Sequence, residues 1–169
     1  QVRRKSLEDQ HRDMLLDKDI DWRHIRNLGI VGSGTFGTVA LALDERTNTT
    51  YAMKILDKQK VKSLRQDKRL ETEKNLLVQM SSDFICRLYS VHEDSTAHYL
   101  LLELVQGGEL QKLIHSRSGH GIPHQPAKFY TACIALALAY LHKRHVAYRD
   151  LKVAFASAAL HCLLPLVTY

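Results

Sequence analysis

Three cysteines in 169 residues, Cys86, Cys133 and Cys162, are too few and too irregularly spaced for a disulfide framework. An odd count with no paired spacing points to a reducing compartment, and the expected location is the cytoplasm. No C-x-x-C pair exists, which excludes a zinc site of that type. The ten histidines do not replace one. His115, His120 and His124 fall in a Gly-containing loop and His142 and His145 near a helix end, with no carboxylate or cysteine to complete a ligand set. No internal repeat and no signal-peptide pattern is present, and the start at Gln1 rather than Met suggests a longer parent chain. The sharpest deficit lies in Val153 to Tyr169, which hold no Asp, Glu, Lys, Arg or Asn. With 25% of the chain charged, seventeen consecutive uncharged positions arise by chance less than about 1% of the time.

Against these absences stands 45% apolar content, enough to build the core of one ordinary domain or slightly more. The net charge of +6 is gathered between Lys54 and Lys74, at Lys58, Lys60, Lys62, Arg65, Lys68 and Arg69. Asp57, Asp67, Glu71 and Glu73 sit among these cations and no aromatics interleave, so the stretch predicts a solvated helical face and no nucleic-acid partner. An anion-recruiting patch is the second reading of the same residues.

Along the chain, residues 1–20 read as a charged extension or linker, with "SLED" from Ser6 to Asp9 as a helix N-cap. The pattern then predicts strands over His24 to Val31, Thr38 to Asp44 and Tyr51 to Leu56, joined by "GSGTFG" and "ERTNT" turns. A single helical stretch is predicted from Val61 to Met80, with Glu73, Leu76, Leu77 and Met80 on one face. Strands over Ile85 to Glu93 and His98 to Val105 follow, then a short helix from Glu109 to Ser116. A long helix from Gln125 to His142 carries Phe129, Ala132, Cys133, Leu136, Ala137, Tyr140 and Leu141 as an apolar stripe.

The chemistry begins at Gly32, Gly34 and Gly37, a G-x-G-x-x-G that alone is a weak signal. In a dinucleotide fold the third glycine opens a helix, whereas here "TVALAL" reads as strand, and the Gly-Lys-Ser/Thr of a P-loop is absent. The glycines therefore sit at the tip of a hairpin, where backbone N–H groups can approach phosphates. Lys54 stands in an apolar strand between Met53 and Ile55 and needs an anionic partner, for which Glu73 is the candidate. Two unrelated charges that both reach solvent are the plainer alternative. "LELVQGGEL" adds backbone groups of Glu103 and Val105 that could bond a flat heterocycle, and Glu109 could reach sugar hydroxyls.

In order and spacing, "GSGTFGTV", "YAMKILDKQKV", "TEKNLL", "LLLELVQGGEL" and "HVAYRDLK" resemble the signature set of protein kinases over residues 22 to 152. Tyr148, where many kinases have His, and the basic helical stretch look like the AGC group of serine/threonine kinases, nearest the cyclic-nucleotide-dependent ones. The resemblance implies an α+β fold: a small lobe over residues 21–105, with a five-stranded antiparallel sheet plus helix, then the hinge and an incomplete helical large lobe over 106–152. It also implies ATP as ligand, with Val31, Gly32, Ser33, Gly34, Thr35, Phe36 and Gly37 covering the phosphates. Val39, Ala52 and Val105 would line the adenine pocket, Leu102 would be the gatekeeper, and Lys54, paired to Glu73, would hold the α- and β-phosphates. Asp150 would accept the substrate hydroxyl proton, Lys152 would touch the γ-phosphate and Arg149 would anchor a phosphorylated activation loop. The implied partners are a Ser/Thr protein substrate in the intact parent and a cyclic-nucleotide regulatory domain upstream.

The departure is just as specific. The family pattern places Pro, Glu and Asn where this chain has Val153, Ala154 and Phe155, and Phe155 has no oxygen for the second magnesium. The Asp of D-F-G would fall near Thr168, and no Asp follows Asp150. Metal ligands are thus expected to be lacking, although the parent family uses magnesium. Residues 153–169 read as non-family sequence from altered splicing or a shifted frame, as an incidental apolar extension, or as a membrane or partner anchor. The anchor is disfavoured because His161 and Pro165 interrupt a run already shorter than a span. "RRKS" puts Arg3 and Arg4 before Ser6, resembling a basic substrate of this kinase group, with a solvated tail as the alternative. Two further readings of the whole chain are a non-catalytic nucleotide-binding or interaction module and a product without function.

Overall fold

A computed structural model describes residues 16, 17, 19–34, 37–108, 110–115, 121–148 and 151. Five strands form one antiparallel sheet in the order β1-β2-β3-β5-β4: β1 Ile25–Ser33, β2 Gly37–Asp44, β3 Thr49–Asp57, β4 Leu88–Glu93 and β5 Ala97–Glu103. Four α-helices accompany it among the described residues: α1 Lys58–Ser63, α2 Asp67–Gln79, α3 Leu110–His115 and α4 His124–His142. The chain divides into two compact units, one running to Met80 and resuming over Arg87–Leu104, the other taking Ser81–Cys86 and the described residues from Val105 onward.

In the sheet unit, alternation of side chains along each strand sorts the residues onto two faces. Ala40, Ala42, Tyr51, Met53 and Leu101 are buried on one face, where Ile20, Trp22, Ile25, Ile55, Tyr89 and Tyr99 pack against them. Trp22 belongs to a short 3-10 turn, stacks on His92 at 5.0 Å and donates its indole N–H to Ser90 Oγ at 3.0 Å. The segment preceding β1 thereby seals this face with an aromatic whose one polar atom is satisfied. The opposite face carries Val39 and Leu41 of β2, Ala52 and Lys54 of β3, and Leu100 and Leu102 of β5.

The helical stretch expected as one piece is two. Helix α1 begins at Asp57, whose carboxylate accepts from the Lys60 amide at 3.0 Å, and ends where Arg65 adopts φ 54°. The Arg65 amide donates to Lys62 O at 3.0 Å and the Gln66 amide to Val61 O at 3.0 Å, the two bonds that close a helix with a left-handed residue. A fresh helix, α2, starts at Asp67 and buries Glu73, Leu77 and Val78. Strand β4 is shorter than expected, since Ile85 to Arg87 precede it.

In the other unit, α4 buries Cys133, Ala137 and Leu141, a line with a four-residue step. Burial pushes the Cys133 thiol above its ordinary value, which keeps it protonated. The expected stripe is only partly covered, because Phe129 is 47% and Leu136 51% exposed. Tyr140 Oη accepts from the Ser81 amide at 2.7 Å, and the Arg144 guanidinium lies over its ring at 3.7 Å. The "SLED" and "RRKS" segments and residues 152–169 lie outside the described residues.

Candidate nucleotide site

β-Strand pairing aligns two cross-sheet rows on the open face. One runs Val39, Lys54, Leu100; the next runs Leu41, Ala52, Leu102. Lys54 is thus fixed mid-strand with an apolar neighbour on either side of its row, and Leu100 and Leu102 beneath are buried. Its ammonium lies 2.8 Å from Glu73 Oε1 of α2. The side chains are 18% and 9% exposed, so the pair is largely withdrawn from water and neither partner is tolerable alone. An ammonium has three donors, and a single carboxylate contact leaves capacity for further anionic oxygens.

The glycine hairpin joins β1 to β2, closed by the Gly34 amide donating to Gly37 O at 2.8 Å. Gly37 is required by close approach: a Cβ there would sit 1.8 Å from the carbonyl oxygen of Ile55. Strand β1 also carries two irregularities. Its register steps from Asn27 opposite Ala42 to Gly29 opposite Leu41, and from Ile30 opposite Ala40 to Gly32 opposite Val39. Leu28 and Val31 are therefore extra residues, each a β-bulge beside a glycine. The isolated Gly29 inside an apolar strand, here at φ 137°, is the sequence signal of the first bulge.

Of the residues expected at this site, the sheet unit brings together Val31, Gly32, Ser33, Gly34, Gly37, Val39, Ala52, Lys54, Glu73 and Leu102. Glu103 ends β5, where its amide donates to Arg87 O at 2.9 Å and its carboxylate accepts from the Arg87 amide at 3.3 Å. The Glu103 amide expected to face a heterocycle is thus engaged with Arg87. Val105 belongs to the other unit. Thr35, Phe36, Glu109, Arg149, Asp150 and Lys152 lie outside the described residues. A separate hollow of about 690 Å³ between α2 and strands β4 and β5, lined by Leu70, Lys74, Val91 and Leu100 among others, includes neither Lys54 nor Glu73.

Position 155, where the family pattern has the Asn that ligates magnesium, holds a Phe, whose side chain has no oxygen to offer the ion. No helix among the described residues is long and apolar enough to cross a membrane.

A glycine hairpin joining the first two strands of a five-stranded antiparallel sheet, with a strand lysine paired to a helix glutamate, defines the small lobe of a protein kinase. The chain belongs to the protein kinase family, whose domain pattern matches residues 25–154. It is 40% identical over 130 residues to the cAMP-dependent protein kinase catalytic subunit of Dictyostelium discoideum, covering 77% of this chain and 20% of that protein. It is 38% identical over 122 residues to a cAMP-dependent protein kinase catalytic subunit-like protein of Caenorhabditis elegans, covering 72% and 30%. With the cGMP-dependent protein kinase of Toxoplasma gondii it shares 36% over 143 residues, covering 85% and 14%. The chain thus spans less than a third of the length of these relatives, and the cyclic-nucleotide resemblance read from its motifs agrees with their names.

Proposed function

We propose that this chain is the ATP-binding part of a serine/threonine protein kinase and binds the nucleotide without measurable phosphotransfer. The observation that carries the reading is the Lys54–Glu73 pair at 2.8 Å, in the cross-strand row that Val39 and Gly32 continue to the glycine hairpin, an ammonium available to triphosphate oxygens. Val39, Ala52 and Leu102 supply an apolar bed for adenine, and the hairpin amides cover the phosphates. In the parent enzyme the γ-phosphoryl passes to a Ser or Thr hydroxyl of a basic peptide, Asp150 taking the proton, Lys152 and Arg149 assisting. Regulation of that parent by a cyclic-nucleotide-binding segment is supported by the names of its relatives. The proposed setting is the cytoplasm, in keeping with three cysteines of irregular spacing.

Transfer needs charge neutralisation of the triphosphate, which magnesium supplies in this family. The side chains at 153–155, where the family pattern has Pro, Glu and Asn, support binding without turnover. The test is calorimetric titration with ATP in EDTA, paired with a radiolabel assay on a basic Ser peptide with magnesium. Expected are binding that is lost in Lys54→Met and no transfer. Magnesium-dependent transfer that disappears in Asp150→Asn overturns the inactive reading; absence of binding overturns the nucleotide reading.

A further inference from the structure

The basic stretch between Lys54 and Lys74 sorts into two sets of cations. Lys54 is tied to Glu73, Lys58 to Glu93 at 3.4 Å, Lys74 to Glu71 at 2.7 Å, and Arg69 to the Gln66 side chain at 3.2 Å. Lys60, Lys62, Arg65 and Lys68 are exposed and have no carboxylate within ion-pair reach among the described residues. These four are neighbours, lying in α1, in the turn that follows it and in the first turn of α2. Asp67 is the one acid among them, so residues 60–68 carry four positive charges against one negative.

Helix α1 rests on Val61, 2% exposed, and so sends Lys60 and Lys62 outward on either side. In the midst of the cations Leu64 is 46% exposed. The backbone around it is closed. The Leu64 amide donates to Lys60 O at 3.1 Å, and the Arg65 and Gln66 amides donate to Lys62 O and Val61 O, each at 3.0 Å. The Leu64 carbonyl accepts from the Gln66 side-chain amide at 3.2 Å.

We propose that this turn is a membrane-surface contact, in which Lys60, Lys62, Arg65 and Lys68 meet anionic phospholipid headgroups while Leu64 enters the boundary between headgroups and acyl chains. The charge alone would suit any polyanion, and the other observations choose among them. Nucleic acid is gripped through aromatic stacking and backbone amides, yet residues 58–68 hold no aromatic and the amides of the turn are already bonded. An acidic peptide has no use for a leucine ringed by cations. A headgroup layer asks for cations, an apolar side chain to insert and a backbone that strands no polar group in low dielectric, and the turn has all three. One such signal gives only marginal binding, whereas charge and insertion together give reversible docking on an anionic leaflet. The element lies on the membrane and does not span it. No residue of the Lys54 site takes part, so the inference is independent of the nucleotide reading.

The test is co-sedimentation of the 169-residue chain with vesicles of phosphatidylcholine alone and of phosphatidylcholine mixed with phosphatidylserine, at low and high salt. Variants are Lys60→Gln/Lys62→Gln, Leu64→Ser and the control Lys128→Gln/Lys143→Gln, which removes the same charge from exposed positions of the other unit. Circular dichroism melts verify folding, and Lys68→Gln replaces the first variant should its melt be lost. Binding is expected only with phosphatidylserine, falling with salt and weakening about fivefold for each cation removed at the turn. Leu64→Ser should bind more weakly with its salt dependence unchanged, and the control should bind as the parent does. Equal binding to both kinds of vesicle overturns the proposal, because charge then plays no part. A turn variant no weaker than the control overturns it too, marking net charge alone as the cause. Absence of binding to phosphatidylserine vesicles also refutes it, and retention on duplex RNA or polyglutamate in that case assigns the patch to another polyanion.

Discussion

Lys54 sits between Met53 and Ile55 in a central strand, a position where a charge persists only with a partner, and Glu73 provides it from another element at 2.8 Å. Glu73→Gln leaves the ammonium beside a neutral amide in a site it cannot leave. A loss of about 2–3 kcal/mol in urea denaturation is expected, below the full cost of an orphaned interior charge because Lys54 retains some contact with water. ATP affinity should fall with it, since the lysine loses its aim. Gly37→Ala acts through shape: the added methyl would meet the Ile55 carbonyl at 1.8 Å, so β2 and β3 must part. A cost of about 3 kcal/mol or more, seen as a drop in melting midpoint, is expected. Asp94 shows electrostatics at the same scale. Its carboxylate is held well below the usual range, first by the Thr96 amide at 2.7 Å, then by Tyr99 Oη at 2.8 Å, the Thr96 hydroxyl and the Ala97 amide. A depressed folded-state value means stability that is present above the unfolded value of about 3.9 and lost as pH falls below it. Thermal melts of Asp94→Asn should lie below the parent at neutral pH and converge with it on acidification below about pH 4. A constant gap across that window would refute the assignment.

At the scale of elements, legibility depended on whether a turn used the residue that usually marks it. The hairpins around "GSGTFG" and "ERTNT" were visible because glycine and small polar residues punctuate the apolar runs, and the five strands followed in order. The break between α1 and α2 was hidden because the left-handed position that usually holds glycine holds Arg65. Nothing in the periodicity of "VKSLRQDKRL" marks it. The bulges in β1 were hidden for a related reason, since register is a property of two strands and neither strand's own pattern carries it. The Lys54–Glu73 pair was legible because burial makes each charge demand the other. Arg65→Gly tests the helix ending directly. With φ 54° and both closing hydrogen bonds already in place, glycine removes the Cβ conflict and should stabilise the chain by about 1 kcal/mol. An unchanged or lowered urea midpoint would show that the arginine side chain contributes more than its backbone costs.

At the scale of the whole molecule, the two units present different surfaces to water. The sheet unit covers its core face with Trp22 and its neighbours and gives its other face to Lys54 and α2. Helix α4 in the second unit buries only the Cys133, Ala137 and Leu141 line, while Phe129 and Leu136, seven residues apart on one side, stay about half exposed. Two large apolar side chains separated by two helical turns, with Ala132 and Ala135 between them also exposed, make an apolar stretch of surface bordered by the exposed Lys128. Surfaces of this kind drive association when nothing polar interrupts them. Leu136→Lys inserts a cation at a position that contributes little to the core, so the melting temperature should stay within a degree or two of the parent. Concentration-dependent self-association in sedimentation velocity should fall, because a lysine ammonium must be desolvated before two such faces can meet. A parent chain that sediments as a monomer at every concentration would remove the premise, and equal association of parent and variant would place the sticky surface elsewhere than α4.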